Sequence, residues 1–388
     1  MFGSWKRVGL VVFATLALAG CKVIPDGGPV TTPGPVVQQP QTPSDTTLPT
    51  DTERHRVALL VPLTGSNAAV GQAIANATTM ALLDTSADNL RITTYDTAQG
   101  AGVAASRAIS DGNKLILGPL VREDVGAVLA QARPADVPLI TFSNDAGVAQ
   151  SDVFVMGLIP EQSVARTVQF ALGQGARQFA VLAPEGEYGD RALAAMRSAA
   201  GNRASVVSVE RFSRSNRSIV SAAQRLNTAG GFDTVLIADG ARLVAMAAPE
   251  LKNAGDALPS IIGTELWAGD VGLASMPELR GSWFATVSDG RMDGFLRSYQ
   301  ARFGETPNRL APLGYDAVLL TLRIARNWQP GQDFPVSRLI DTGGFLGVDG
   351  PFRFMSDGTS QRALEVRQIG NGRVDIVDPA PTTFTGAG

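Results

Sequence analysis

The chain has 388 residues, 44% of them hydrophobic and 18% charged, with a formal net charge of −3. At about 150 residues per folding unit this allows two to three units, and the mildly acidic balance offers no basic stripe for nucleic acid. One cysteine, Cys21, and one histidine, His55, exclude an internal disulfide, a CxxC pair, a cysteine-rich zinc site and HExxH chemistry.

Residues 1–20 read as a signal peptide. MFGSWKR is a short positive segment, and VGLVVFATLAL is an apolar run too short to span a bilayer comfortably. The run ends in Leu18, Ala19, Gly20 and Cys21. Small residues before a cysteine resemble the bacterial lipobox, so Cys21 is expected to be acylated and to anchor the chain in a membrane. Each buried methylene of the acyl chains would add about 0.8 kcal/mol. A conventional cleavage site beside an unrelated cysteine is the alternative. Lys22, not aspartate, follows; by resemblance to enterobacterial sorting rules this points to the outer membrane, with the body facing the periplasm. Residues 21–52 form the lipidated cysteine and a tether with prolines at 25, 29, 33, 35, 40, 43 and 49. The tether has no apolar period and little to bury, which predicts an extended linker.

From Arg56 strands and helices alternate. RVALLVPL is a continuous apolar run, the mark of a strand buried on both faces. Ser66 and Asn67 are candidate caps for the helix that follows, with Val70, Ile74, Ala77 and Ala81 on one face. RITTYD, KLILGP, PLITFS and VFVMG read as short strands and EDVGAVLAQARP as a helix among them. The pattern restarts with the helix QSVARTVQFALGQG and the strands QFAVLAP, ASVVSVE, DTVLIAD, SIIGT and SWFATV. Helices around Asp190–Ala200, Ser218–Leu226 and Ala241–Asn253 separate these strands. Two further helices, Gly294–Phe303 and Leu313–Arg326, precede a terminal hairpin-like stretch, PFRFM and ALEVRQIGNGRVDIVD. Repeated βαβ units imply parallel sheets with helices on both faces. His55 stands at the mouth of the first strand and reads as a solvated entry residue rather than a catalytic base. Arg211, Arg214 and Arg217 read as an exposed polar loop. No GxGxxG follows a strand and no GxxxxGK[ST] occurs, so neither nucleotide-cofactor cradle is present, and no metal cluster or nucleophile–base pair is visible.

The body resembles the type I periplasmic binding proteins of the leucine/isoleucine/valine-binding kind, from about Arg56 to Asp378. The resemblance is carried by VALLVPLTGSNAAVGQAIANA, LILGPLVREDVGAVLAQA, VPLITFSND, FAVLAPEGEYGDRALAAM, GYDAVLLTLRIA and GVDGPFRF. It implies two Rossmann-like α/β lobes joined by three crossovers, with a central cleft that closes by hinge motion. Lobe one is expected to take residues 53–159 and 289–328, and lobe two 160–288 and 329–378, leaving a tail at 379–388. The crossovers are expected near Leu158, Ser288 and Trp328.

In such sheets ligands sit beyond the carboxyl ends of the strands, here at loops 64–67, 118–122, 143–145, 185–188, 239–240 and at 265. The candidate ligand residues are therefore Ser66, Arg122, Ser143, Tyr188 and Glu265. By the resemblance, Arg122 stands where amino-acid binders place a Ser or Thr for the α-carboxylate. Glu265 stands where they place the acid for the α-ammonium, and Tyr188 matches a cleft tyrosine. Asp145 would repel a carboxylate. The motif order, above all PLITFSND, EGEYG and VDGPFRF, looks most like the outer-membrane lipoproteins that activate penicillin-binding proteins. The expectation is a non-enzymatic envelope lipoprotein that contacts a penicillin-binding protein or another envelope protein. The alternative is the solute-binding component of an ABC importer for amino acids or related molecules.

Overall fold

The computed structural model describes residues 53–252, 259–382 and 384. The expected signal peptide, Cys21 and the tether lie outside the described residues. The described residues cluster as one compact unit.

The first lobe begins with β1 (His55–Val61), α1 (Ala68–Asp84), β2 (Leu90–Asp96), α2 (Ala101–Ser110), β3 (Ile116–Leu117), α3 (Arg122–Ala132), β4 (Leu139–Thr141) and β5 (Val153–Val155). The strands form a parallel sheet in the order β2-β1-β3-β4-β5. Strand β1 shows why an unbroken apolar run is needed. Val57, Leu59 and Val61 join the core on one face of the sheet, whereas Ala58 and Leu60 join the core under α2 and α3 on the other. Helix α2 was not anticipated. Its sequence, AGVAASRAIS, is alanine-rich, and only the partner surface reveals that Ala101, Ala104, Ala105 and Ala108 are its buried stripe.

The second lobe comprises α4 (Pro160–Gly173), β6 (Gln178–Pro184), α5 (Glu187–Ala200), β7 (Ser205–Phe212), α6 (Ser218–Ala229), β8 (Thr234–Ile237), α7 (Ala241–Lys252), β9 (Ser260–Ile262) and β10 (Trp283–Val287). Strand β6 repeats the device of β1. Ala180 and Leu182 face α6 and α7, while Phe179, Val181 and Ala183 face α4 and α5.

The chain then returns to lobe one. α8 (Met292–Phe303) and α9 (Ala311–Ala325) pack on α1, with Phe295 and Tyr299 against Ala77 and Met80. β11 (Phe345–Gly347), β12 (Gly350–Phe354) and β13 (Ser360–Arg362) form a small antiparallel sheet. β14 (Leu364–Ile369) and β15 (Val374–Asp378) complete a second sheet in the order β15-β14-β10-β9-β8-β6-β7.

This last stretch corrects two expectations. Residues 329–362 do not go with lobe two: Phe334, Leu339, Phe345, Phe352 and Phe354 pack into the lobe-one core with Ile140, Phe154 and Leu313. The third crossing therefore lies at Arg362–Leu364, not near Trp328, because five large apolar residues bury their surface only by staying on the first lobe. For the same reason PFRFM and ALEVRQIGNGRVDIVD do not form one hairpin. β12 pairs with β11 and β13, and β14 pairs with β10 and β15.

His55 is likewise corrected. It is buried, not solvated, and stacks on the Trp328 indole with ring centroids 4.1 Å apart and planes 18° from parallel. The turn after α9 covers the start of β1, and this burial holds the imidazole below its usual pKa of 6.5. Among the described residues no helix is long and apolar enough to cross a membrane.

Candidate functional site

The two lobes face one another across a cavity of about 580 Å³. Its lobe-one wall is made by the loops that follow β1, β3 and β4 and by the segment between α8 and α9. The lobe-two wall comes from the N-terminus of α5 and the loops after β7 and β9. The apolar part includes Leu120, Phe142, Leu158 and Leu310.

On the lobe-two side Tyr188 and Glu265 form one unit. Helix α5 approaches its own strand closely. A Cβ on Gly189 would collide with the Pro184 carbonyl, so glycine there brings Tyr188 over the strand end. The Tyr188 hydroxyl lies 3.0 Å from Thr264 Oγ1 and 3.1 Å from Glu265 Oε1, and its single proton serves one of them at a time. Glu265 is 7% exposed, and its Oε2 has no hydrogen-bond partner among the described residues. Desolvation pushes both groups up, Glu265 above the usual carboxylate range and Tyr188 well above the usual phenol. Arg309 donates to the Glu265 main-chain oxygen at 3.3 Å, and its charge partly offsets the desolvation of the carboxyl.

Arg214 stands in an exposed loop, as expected, yet its side chain also reaches the cavity. It pairs with Asp239 at 2.7 Å, and its guanidinium carbon is 5.0 Å from the Tyr188 ring centroid, lining the cavity. The buried carboxylate of Asp239 and the ring face draw it inward.

On the opposite wall Arg122 begins α3, an unfavourable end for a cation. Glu123 and Asp124 in the same turn offset this. Its Nη1 meets Asp145 Oδ2 at 2.8 Å and also Glu187, the first residue of α5 on the other lobe. A second arginine bridges in the reverse sense. Arg191 of α5 pairs with Glu161 at 2.6 Å and donates to the Asn144 carbonyl at 2.7 Å. Asp145 also accepts from Gly147 N at 2.8 Å, while Ser143 Oγ accepts from Asp145 N at 3.1 Å.

Of the five candidates, Arg122, Ser143, Tyr188 and Glu265 line this one cavity. Ser66 does not. It is exposed on the bend before α1, and Asn67 takes the place on the wall; Asn67 is also the residue at the cap position, without a side-chain cap bond. The sequence reading missed Phe142, Leu158, Asn308, Arg309 and Leu310 as lining residues. Phe142 lies in PLITFS and Leu158 follows VFVMG at the expected crossover, but residues 308–310 follow a helix, not a strand, so nothing local marks them. Among the described residues no group of three or more His, Cys, Asp or Glu could hold a metal.

Two lobes with parallel sheets, linked at three crossings and walled around one polar-floored cleft, define a binding protein of the hinged periplasmic kind. The profile of the periplasmic binding protein family matches residues 55–373, and the chain belongs to that family. In fold it is similar to leucine-binding proteins. The leucine binding protein LivK of Thermotoga maritima shares 21% identity with a TM-score of 0.62, over 84% of this chain and 98% of that one. In sequence, an uncharacterized protein of Rickettsia prowazekii is 29% identical over 134 residues, 34% of this chain and 36% of the relative. The penicillin-binding protein activator LpoA of Photobacterium profundum is 31% identical over 140 residues, 35% of this chain and 23% of the relative. The chain thus matches about a third of one curated relative and about a quarter of the other.

Proposed function

We propose that this protein is an envelope lipoprotein, anchored in the outer membrane through acylated Cys21, whose binding-protein body activates a penicillin-binding protein by contact across the periplasm. The observation that carries the reading is the state of Arg122. The guanidinium placed to grip a ligand carboxylate is already held by Asp145 and Glu187. A ligand carboxylate would have to displace both, against two like charges. The partial likeness to an activator of penicillin-binding proteins supports the same reading.

The second reading, solute capture for an ABC importer, is favoured by the buried Glu265–Tyr188 pair beside an apolar wall. A deletion strain complemented with Glu265→Ala and with Cys21→Ser separates the two, scored by β-lactam sensitivity and the rate of peptidoglycan synthesis. Activation by contact predicts that Glu265→Ala complements and that Cys21→Ser, left unprocessed or soluble, does not. The opposite pattern, together with micromolar amino-acid binding abolished by Glu265→Ala, replaces activation with solute capture.

A further inference from the structure

Behind the cleft, on the other side of the crossings, lies a second cavity of about 650 Å³, and it shares no lining residue with the first. A small gap lined by Leu158, Glu265 and Arg362, among others, lies between the two. One wall of the rear cavity is α4 of lobe two, where Gln162, Arg166 and Gln169 recur at the spacing of one helical face. The other wall is lobe one, with Arg353 of β12 and Met355 in the turn that leads to β13.

The charge lining this cavity is of one sign: Arg166, Arg353 and Arg362 line it, and no Asp or Glu does. Two of the three arginines are already answered. Arg166 pairs with Asp378 at 2.7 Å, both partners being partly exposed. Arg362 lies deeper; its Nη2 donates to the Met156 carbonyl at 2.6 Å, and the buried carboxyls of Asp349 and Asp316 offset its charge. Arg353 is not answered. It is 8% exposed and makes no ion pair among the described residues. Nε donates to Gln361 Oε1 at 2.8 Å and Nη1 makes a long contact of 3.4 Å with the Thr342 carbonyl, while Nη2 donates to nothing among the described residues. The Phe384 ring, 5.1 Å from the guanidinium carbon, covers one face of the group. A cation held out of water without a counter-ion is costly, and an anion brought to it gains more than at an open surface.

We propose that the rear cavity binds a small organic acid. The carboxylate sits on the Arg353 guanidinium, a geometry that arginine recognises well, with Arg166 adding attraction from the facing wall. Met355, Leu364, Pro381 and Phe384 take the carbon skeleton, a surface that an inorganic anion would leave unfilled. The volume is that of a small-molecule site. The site is separate from the cleft and does not depend on which functional reading holds.

Isothermal titration calorimetry on the full-length protein tests it, with hexanoate as the acid, hexanamide as its neutral isostere and inorganic phosphate as an anion without a skeleton. Hexanoate should bind at least about tenfold more tightly than hexanamide or phosphate. Arg353→Lys keeps the charge but loses the planar fork, and should weaken hexanoate about ten- to a hundredfold, as loss of a charge-assisted hydrogen bond implies. Arg166→Gln probes the same cavity from the half-buried face of α4 and should weaken it about two- to fivefold. In hydrogen–deuterium exchange, hexanoate should protect peptides from 160–173 and 350–364 and spare 185–188 and 264–266. No binding of hexanoate, equal binding of hexanamide or phosphate, or protection at the cleft peptides instead would overturn the proposal and leave Arg353 as a packing residue.

Discussion

Asp316 on α9 is wholly buried beside Asp349, and the charge of Arg362 acts on it from the other side of the balance. Burial, then repulsion from Asp349, pushes its pKa up from 3.8 to about 7, against the pull of the Val348 N–H at 2.7 Å and of Arg362. A folded-state pKa above the unfolded one means that the folded protein holds the proton more tightly. Stability is therefore greatest below pH 4 for this group and is lost as pH rises to about 7, by about 4 kcal/mol for the titrating pair. Asp316→Asn removes that loss. The amide oxygen keeps the bond to Val348, and the long contact from Asp349 N, 3.4 Å, is given up at about 1 kcal/mol. At pH 8 the variant should be more stable than the parent by about 3 kcal/mol, and at pH 4 less stable by about 1 kcal/mol. Urea unfolding followed by circular dichroism between pH 4 and 8 gives two curves that should cross. Parallel curves, or a variant destabilised at every pH, would refute the account of the cluster as an unfavourably buried acid pair.

Glu187→Gln should free Arg122 from the other lobe. The ion pair is more than a third exposed on both sides, so less than about 1 kcal/mol is at stake, and small-angle scattering at low salt should show in the variant a shift toward wider lobe separation that high salt reproduces in the parent. No salt dependence in the parent would argue that the pair does not hold the lobes. Trp328→Ala should cost about 3–5 kcal/mol and return the His55 pKa toward 6.5, read by imidazole NMR titration. Since His55 is depressed in the folded state, the parent should lose stability as pH falls below 6.5, and the variant less so.

What could be read from the sequence alone was whatever a local pattern specifies. RVALLVPL had to be a strand buried on both faces, because a continuous apolar run has no other way to leave water, and the alternation of such runs with amphipathic segments set the α/β class and the place of the cleft loops. Glu265, Tyr188, Arg122 and Ser143 followed from that grammar and the family resemblance, since each stands next to a strand end. Tertiary structure decided everything that depends on partners distant in sequence. Phe345, Phe352 and Phe354 choose lobe one over lobe two by the core they meet, His55 is buried by the turn around Trp328, and Arg309 reaches Glu265 from a loop that no strand announces. Most of all, Arg122 is the same residue in either reading of the sequence. Whether it greets a ligand or is held by Asp145 and Glu187 is a matter of which charges the folded lobes bring within about 4 Å of it, the range at which ion pairs form.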